Sequence, residues 1–189
     1  MKALIIVGAK KNGNTDKLVR QFAKGAASAG HEVEIEYLFK KSMRGCIHCQ
    51  SCKRNGGACV WNDGVPEMLD KLLAADVLVL ASPVYYFALS SQLKMFMDRT
   101  YAIIEKIRGK RFFFISTADG PSDVCAAGFE KVLAPIEGWT MCFAGTTFEK
   151  SIAHWDMSTT DDITKSAAYA EAEDAGGALS SDVAAEGVR

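Results

Sequence analysis

The chain has 189 residues, with 22 basic against 23 acidic, a net charge of −1 and 49% hydrophobic residues. That length suffices for one domain with a sizeable core, and that composition excludes a disordered chain. The near-neutral charge gives no footing for nucleic acid or an anionic membrane surface, and no stretch of the sequence approaches the ~18 apolar residues of a membrane span.

Residues 3–7 are rich in Ile and Leu and end at Gly8, which predicts a buried strand. Leu18, Val19, Phe22 and Ala26 recur at helical spacing, so 15–29 reads as a helix closed by Gly30. Residues 32–37 alternate polar and apolar, as a strand nearer the sheet edge does. A cysteine-bearing loop at about 44–62 then interrupts the pattern. A helix over 65–75 carries Met68, Leu69 and Leu72 on one face, and 76–81 (DVLVLA) is a third, buried strand. Residues 91–107 predict a long amphipathic helix with Leu93, Phe96, Met97 and Ile104 on its apolar side. The pattern continues with a strand over 111–116, a helix over 122–137, a strand over 140–148 and an Ala-rich helix over 160–175. Asp161 and Asp162 suit the positive N-terminal end of that last helix. Residues 1–179 are expected to form one domain and 180–189 a tail. The apolar run before Gly8 is too short for a signal peptide. A cytoplasmic location is therefore expected, where cysteines serve as thiols, ligands or redox groups rather than disulfides.

Strands alternating with helices imply an α/β protein with a mostly parallel sheet covered on both faces. Ligands of such sheets sit at the carboxyl ends of the strands, where strand order reverses. After the first strand comes Gly8-Ala9-Lys10-Lys11-Asn12-Gly13-Asn14-Thr15, close to a Walker A frame but with Asn14 where the lysine would be. Backbone N–H groups at a helix N-terminus attract an anion, and neutral donors without the lysine suit one phosphate better than three. Asn14 as a plain helix cap is the alternative. After the third strand comes Ser82-Pro83-Val84-Tyr85-Tyr86-Phe87-Ala88. Its aromatics suit the face of a flat ring, or else a hydrophobic plug or subunit contact. The fourth strand ends in Ser116-Thr117-Ala118-Asp119-Gly120-Pro121, small turn-forming residues that leave room for a ligand edge.

Cys46, Cys49, Cys52 and Cys59 are spaced C-x2-C-x2-C-x6-C. Three thiolates on one tight loop can clasp three corners of a cubane, with Cys59 as the fourth ligand. Zinc fits the spacing poorly, because four-cysteine zinc sites separate two C-x2-C pairs by a longer stretch. Thiol–disulfide exchange and unligated thiols remain open. Cys125 and Cys142 read as buried inert thiols in a helix and a strand. His48 reads as a polar neighbour of the loop, and Trp61 as a shield or core anchor.

The pieces GAKKNGNTDKL, ASPVYYFALSSQLKMFMDR and STADGPS, in this order, resemble the NADPH-dependent FMN reductase group of flavodoxin-like proteins. With GCIHCQSCKRNGGACV between them, the chain is most similar to the iron–sulfur flavoproteins of that group. The resemblance covers roughly residues 1–150. It implies a three-layer sandwich around a five-stranded parallel sheet of order 2-1-3-4-5, with bound FMN. Ala9, Lys11, Asn14 and Thr15 would hold the FMN phosphate. Pro83, Val84, Tyr85, Tyr86 and Phe87 would contact the ribityl chain and ring, and Thr117, Ala118, Asp119 and Gly120 the ring's other edge. Ala9 stands where the family usually carries serine, and Asp119 departs from the usual small-residue turn and would repel an anionic flavin. Cys46, Cys49, Cys52 and Cys59 would hold a 4Fe–4S cluster. The implied activity moves electrons from NAD(P)H, or from a reduced protein donor such as a ferredoxin, to a small-molecule or protein acceptor. The alternative is an electron relay with no nicotinamide step. No acid–base residue is assigned. The resemblance also implies a homodimer or homotetramer, for which Leu93, Met95, Phe96 and Met97 look like surplus apolar surface.

Overall fold

A computed structural model describes residues 1–156 and 162–180 of the chain. Five parallel strands, β1 (Lys2–Val7), β2 (Glu32–Tyr37), β3 (Val77–Pro83), β4 (Arg111–Thr117) and β5 (Thr147–His154), form one sheet of order β2-β1-β3-β4-β5. This is the expected flavodoxin-like order. Six α-helices connect and cover it among the described residues: α1 (Asn14–Ser28), α2 (Ser51–Arg54), α3 (Val65–Ala74), α4 (Ser91–Arg99), α5 (Ser122–Thr140) and α6 (Ala167–Gly177).

The alternation of a strand's side chains decides which layer each residue joins. Leu4 and Ile6 of β1 join Leu78 and Leu80 of β3 against α3, α4 and α5, while Ala3, Ile5 and Val7 join Val77 and Val79 against α1 and α6. Both faces of β1 and β3 are therefore dry, as a parallel sheet requires. The helices α1 and α6 cross backbone to backbone. A Cβ at Gly25 would fall 1.9 Å from the Glu173 carbonyl oxygen, and one at Gly176 2.1 Å from that of Phe22. Only glycine permits that approach.

Three elements differ from their sequence expectation. The helix read over 91–107 ends at Arg99, and Thr100–Lys106 continues as 3-10 turns with Ile103 off helical geometry (φ −123°, ψ 17°). β-Branched Thr100, Ile103 and Ile104 weaken that stretch, and the Thr100 hydroxyl bonds the Met97 carbonyl and receives the Trp139 indole N–H. α5 runs through Pro135 to Thr140, past its expected end. The strand read over 140–148 is displaced to Thr147–His154, because 141–146 form a turn with Gly145 at φ 65°. The apolar signal there came from Phe143, which is a core plug against Phe112 and Trp139. The last helix begins at Ala167 behind a 3-10 turn at Asp162–Lys165, while Thr160 and Asp161 of its expected start, and residues 181–189 of the expected tail, lie outside the described residues.

Candidate functional site

The carboxyl ends of β1, β3 and β4 open on one cavity of about 590 Å³, well within the roughly 300–1,000 Å³ of small-molecule sites. It lies beside β1, where the connections change direction and strand order reverses. Gly8, Ala9, Lys10, Gly13, Asn14 and Thr15 line one end. The helix α1 starts there with Gly13 in the capping position, so no side chain caps it. Its dipole thus points at the cavity end, and the acid of its first turn, Asp16, is turned down into the protein.

Below that loop, Asp16 is fully buried. It accepts the Asn12 backbone N–H at 2.8 Å, the Tyr37 hydroxyl at 2.6 Å and the Arg20 Nε–H at 2.9 Å. Burial pushes its carboxyl up, but these donors outweigh burial and hold it below the usual range. Burial and the Asp16 carboxylate push the Tyr37 hydroxyl up to about 12. The carboxylate therefore pins the loop through Asn12, whose φ of 62° is left-handed.

The other walls are stitched to this loop and to each other. The hydroxyls of Thr15 and Thr117 meet at 2.7 Å inside the protein. Val84 donates its N–H to the Thr117 carbonyl, and Ala118 to that of His154. Beneath the second loop, Ser82 Oγ accepts the Ser90 N–H at 2.8 Å, Ser116 Oγ donates to the Ser82 carbonyl, and Ser90 Oγ caps α4 at Leu93. Tyr85 and Ala88 exchange two backbone bonds of 3.0 Å around Tyr86 and Phe87, both left-handed (φ 52° and 56°). This two-residue loop usually favours Asn-Gly, so two aromatics there are held under strain.

The cysteine loop stands apart from that cavity. Cys46, Cys49, Cys52 and Cys59 line a second, small cavity of about 30 Å³ together with Ile47, Val60, Trp61 and Tyr101. All six cysteines of the chain are free thiols. The Cys49 thiol is pulled down by the N–H and hydroxyl of Ser51. His48 and Gln50 adopt left-handed backbone, as do Gly56 and Gly57, which turn the chain back toward Cys59. Among the described residues, no group of three or more His, Cys, Asp and Glu side chains is placed to hold a metal ion. The thiol set suits a cubane in number and in facing one space. That space is narrow, however, and the thiols are not placed to hold a metal ion as they stand, so a cluster would have to move the turns that carry them.

The model of the family "NADPH-dependent FMN reductase" matches residues 1–142. The chain belongs to that family. It is 43% identical over 101 residues to an iron–sulfur flavoprotein of Methanocaldococcus jannaschii, covering 53% of this chain and 52% of that one. It is 28% identical over 143 residues to an iron–sulfur flavoprotein of Methanosarcina thermophila, covering 74% of this chain and 72% of that one. The chain spans about half the length of the first of the curated relatives it matches. Among solved structures, an azoreductase from Bacillus anthracis superposes with a TM-score of 0.75 at 15% identity, covering 95% of this chain and 100% of that one. An NAD(P)H:quinone oxidoreductase from Methanothermobacter marburgensis gives 0.69 at 16%, covering 94% of each. At such identities these structures speak for the fold alone.

The first cavity brings together Ala9, Asn14, Thr15, Pro83, Val84, Tyr85, Thr117, Ala118 and Asp119 of the residues singled out from the sequence. Lys11, Tyr86, Phe87 and Gly120 are not among its lining residues. Lys11 lies 4.8 Å over the Tyr37 ring, and the neighbouring Lys40 ammonium pushes its own down. Tyr86 is 99% exposed. Phe87 turns onto α5, where a Cβ on Gly128 would fall 2.2 Å from its ring. Sequence reasoning missed Phe39 and Gln92, which also line the cavity. Phe39 follows the carboxyl end of β2, so the strand-end rule extended to the neighbour of β1 would have found it.

Other expectations need correction. Cys142 sits exposed on the turn after α5, donating to the Gly138 carbonyl, and Cys125 is only half-buried. Burial and then Asp119, Asp156 and Asp123 push the Cys125 thiol up. Leu93, Phe96 and Met97 are not surplus surface: all three are buried inside the chain, and Met95 is half-buried. Trp61 is not a core anchor but lines the thiol cavity, as the shield alternative has it. Its indole donates to the Gly45 carbonyl and its ring lies under the Arg44 guanidinium, bracing the loop's base.

Proposed function

We propose that this protein is an FMN-dependent oxidoreductase. In this reading FMN sits in the cavity at the carboxyl edge of the sheet, NAD(P)H reduces it, and a small-molecule or protein acceptor takes the electrons. One observation carries the reading: the cavity combines an uncapped helix start, flanked by Asn14 and Thr15, with a stitched turn at Pro83–Tyr85 facing Thr117–Asp119. Bound FMN supplies hydride acceptance and transfer of electrons singly or in pairs.

The chain's own residues bind and orient. Asn14, Thr15 and the N–H groups that follow Gly13 hold the phosphate, with Lys10 adding positive charge at its mouth. Asp16 keeps that loop in shape through Asn12. Pro83, Val84 and Tyr85 border one side of the ring, and Thr117 and Ala118 the other. Asp119, exposed at the rim, disfavours additional negative charge there. Tyr86 and Phe87 act outside the cavity, as a rigid rim rather than a floor. No side chain is assigned as a proton donor.

The four thiols that line one small cavity support a 4Fe–4S cluster held by Cys46, Cys49, Cys52 and Cys59, as do the names of the iron–sulfur relatives. A cytoplasmic homodimer or homotetramer completes the proposal. Among the described residues no helix is long and apolar enough to cross a membrane.

Anaerobic mixing of the purified protein with NADPH or NADH tests the reading. Prompt bleaching of a bound flavin is expected. No bleaching, with ready reduction by a reduced ferredoxin, would favour the relay without a nicotinamide step. A folded protein that neither carries nor binds FMN would overturn both.

A further inference from the structure

We propose that Arg99 and Asp63 are a positioning pair whose buried ion pair closes the neck of the cysteine loop and so sets the mutual placement of its four thiols. This rests on the reading of that loop as a cluster site.

Arg99 ends α4, and its side chain is 1% exposed against 6% for Asp63. Its Nη1 donates to Asp63 Oδ2 at 2.9 Å and to the Arg44 carbonyl at 2.7 Å, and its Nη2 donates to Asp63 Oδ1 at 3.2 Å. The same carboxylate accepts the backbone N–H of Arg44 at 3.0 Å and of Val65 at 3.1 Å. Arg44 enters the loop just before Cys46, and Asp63 leaves it just after Cys59. One guanidinium fork thus holds both ends of the loop on α4.

Between those ends the loop has little structure of its own. A single helical turn, Ser51–Arg54, is its regular element, and Cys46 and Cys49 are exposed. The neck fixes where the two ends of the loop lie, while Lys53 with Glu105 and Lys106 with the Gly56 carbonyl tie its middle to residues 100–106. A buried ion pair is an expensive way to add stability, because apolar residues of similar volume often do as well. What it adds here is geometry: a planar fork can bond a carboxylate on two atoms and a carbonyl at once, and neither lysine nor an apolar side chain can.

The test compares the wild type with the paired Arg99→Met, Asp63→Leu variant and with Arg99→Lys. The paired change removes the fork without stranding a buried charge. Each protein is reconstituted anaerobically with iron and sulfide, with FMN content as the check on folding. Three readouts are taken: iron retention against a chelator, the electron paramagnetic resonance spectrum of the reduced cluster, and the rate of tryptic cleavage after Lys53 and Arg54. The proposal expects normal FMN content in the paired variant, about 10–100-fold weaker iron retention, an altered spectrum and faster cleavage. Arg99→Lys should fall between. If the paired variant does not fold, Arg99→Lys decides by the same readouts. Unchanged retention, spectrum and cleavage would overturn the proposal. If the wild type itself takes up no iron, the cluster reading falls, and cleavage alone judges the neck: faster in the variants supports it, equal rates overturn it.

Discussion

The cavity at the carboxyl edge and the cysteine loop are held in place by different means. The cavity's walls are the ends of strands buried on both faces, cross-bonded by Thr15–Thr117, Val84–Thr117 and Ala118–His154. Its shape is a by-product of the fold's own hydrogen bonding. The cysteine loop lies outside the sheet and is held by side chains: Arg99, Asp63, Arg44 and Trp61 at its base, and Lys53–Glu105 and Lys106 along its middle. Loss of one wall contact should leave the cavity's shape intact even where it weakens binding. Loss of the neck should free both ends of the loop.

The largest effect should follow from breaking that neck on one side. Arg99→Met alone leaves the Asp63 carboxylate buried without its partner, and about 3–5 kcal/mol of stability should disappear in urea unfolding. A loss under about 1 kcal/mol would place the loop's support elsewhere. Next, Thr15→Val removes a hydroxyl from the phosphate end of the first cavity. FMN should bind about 10–100-fold more weakly, the equivalent of about 1.5–3 kcal/mol for a bond to a charged group, and iron retention should not change. A parallel loss of iron would erase the distinction between the two regions.

A smaller effect concerns pH. The Asp16 carboxyl is held below its ordinary value, so its contribution is present above the unfolded pKa and is lost as pH falls through the folded one. The Tyr37 hydroxyl is raised from 10.0 to about 12, so its contribution is complete below pH 10 and fades as pH rises toward 12. Denaturation followed across pH should decline at both ends, and Tyr37→Phe should flatten the alkaline fall. The smallest change concerns the strained rim. Tyr86→Asn suits a left-handed backbone better, and with Tyr86 fully exposed it should raise stability by about 0.5–1 kcal/mol in thermal melts. A decrease would show that the ring makes contacts that outweigh the strain.

Strand order and most of the cavity wall were legible in the sequence because buried parallel strands read as plain apolar runs, and the residues after them are found by counting. The misplaced fifth strand has a different cause. Phe143 and its apolar neighbours mimic a strand, whereas β5 is an edge strand whose mixed TFEKSIAH carries a weaker signal. Tyr86 and Phe87 were misplaced for a conformational reason: which way a tight turn points its side chains depends on φ, which composition does not reveal. The Arg99–Asp63 neck was invisible for a third reason. Its partners come from three separate segments, and nothing local marks Arg99, next to the exposed Asp98, as half of a buried fork.

The central claim is that the carboxyl-edge cavity is a flavin site independent of the cysteine loop. Anaerobic titration of FMN and then NADPH into the Cys46→Ser, Cys49→Ser variant tests it most directly, with flavin absorbance as the signal. The account predicts saturable binding of one FMN per chain and bleaching by NADPH as in the wild type, without iron. Failure of this folded variant to bind FMN, where the wild type does, would contradict it.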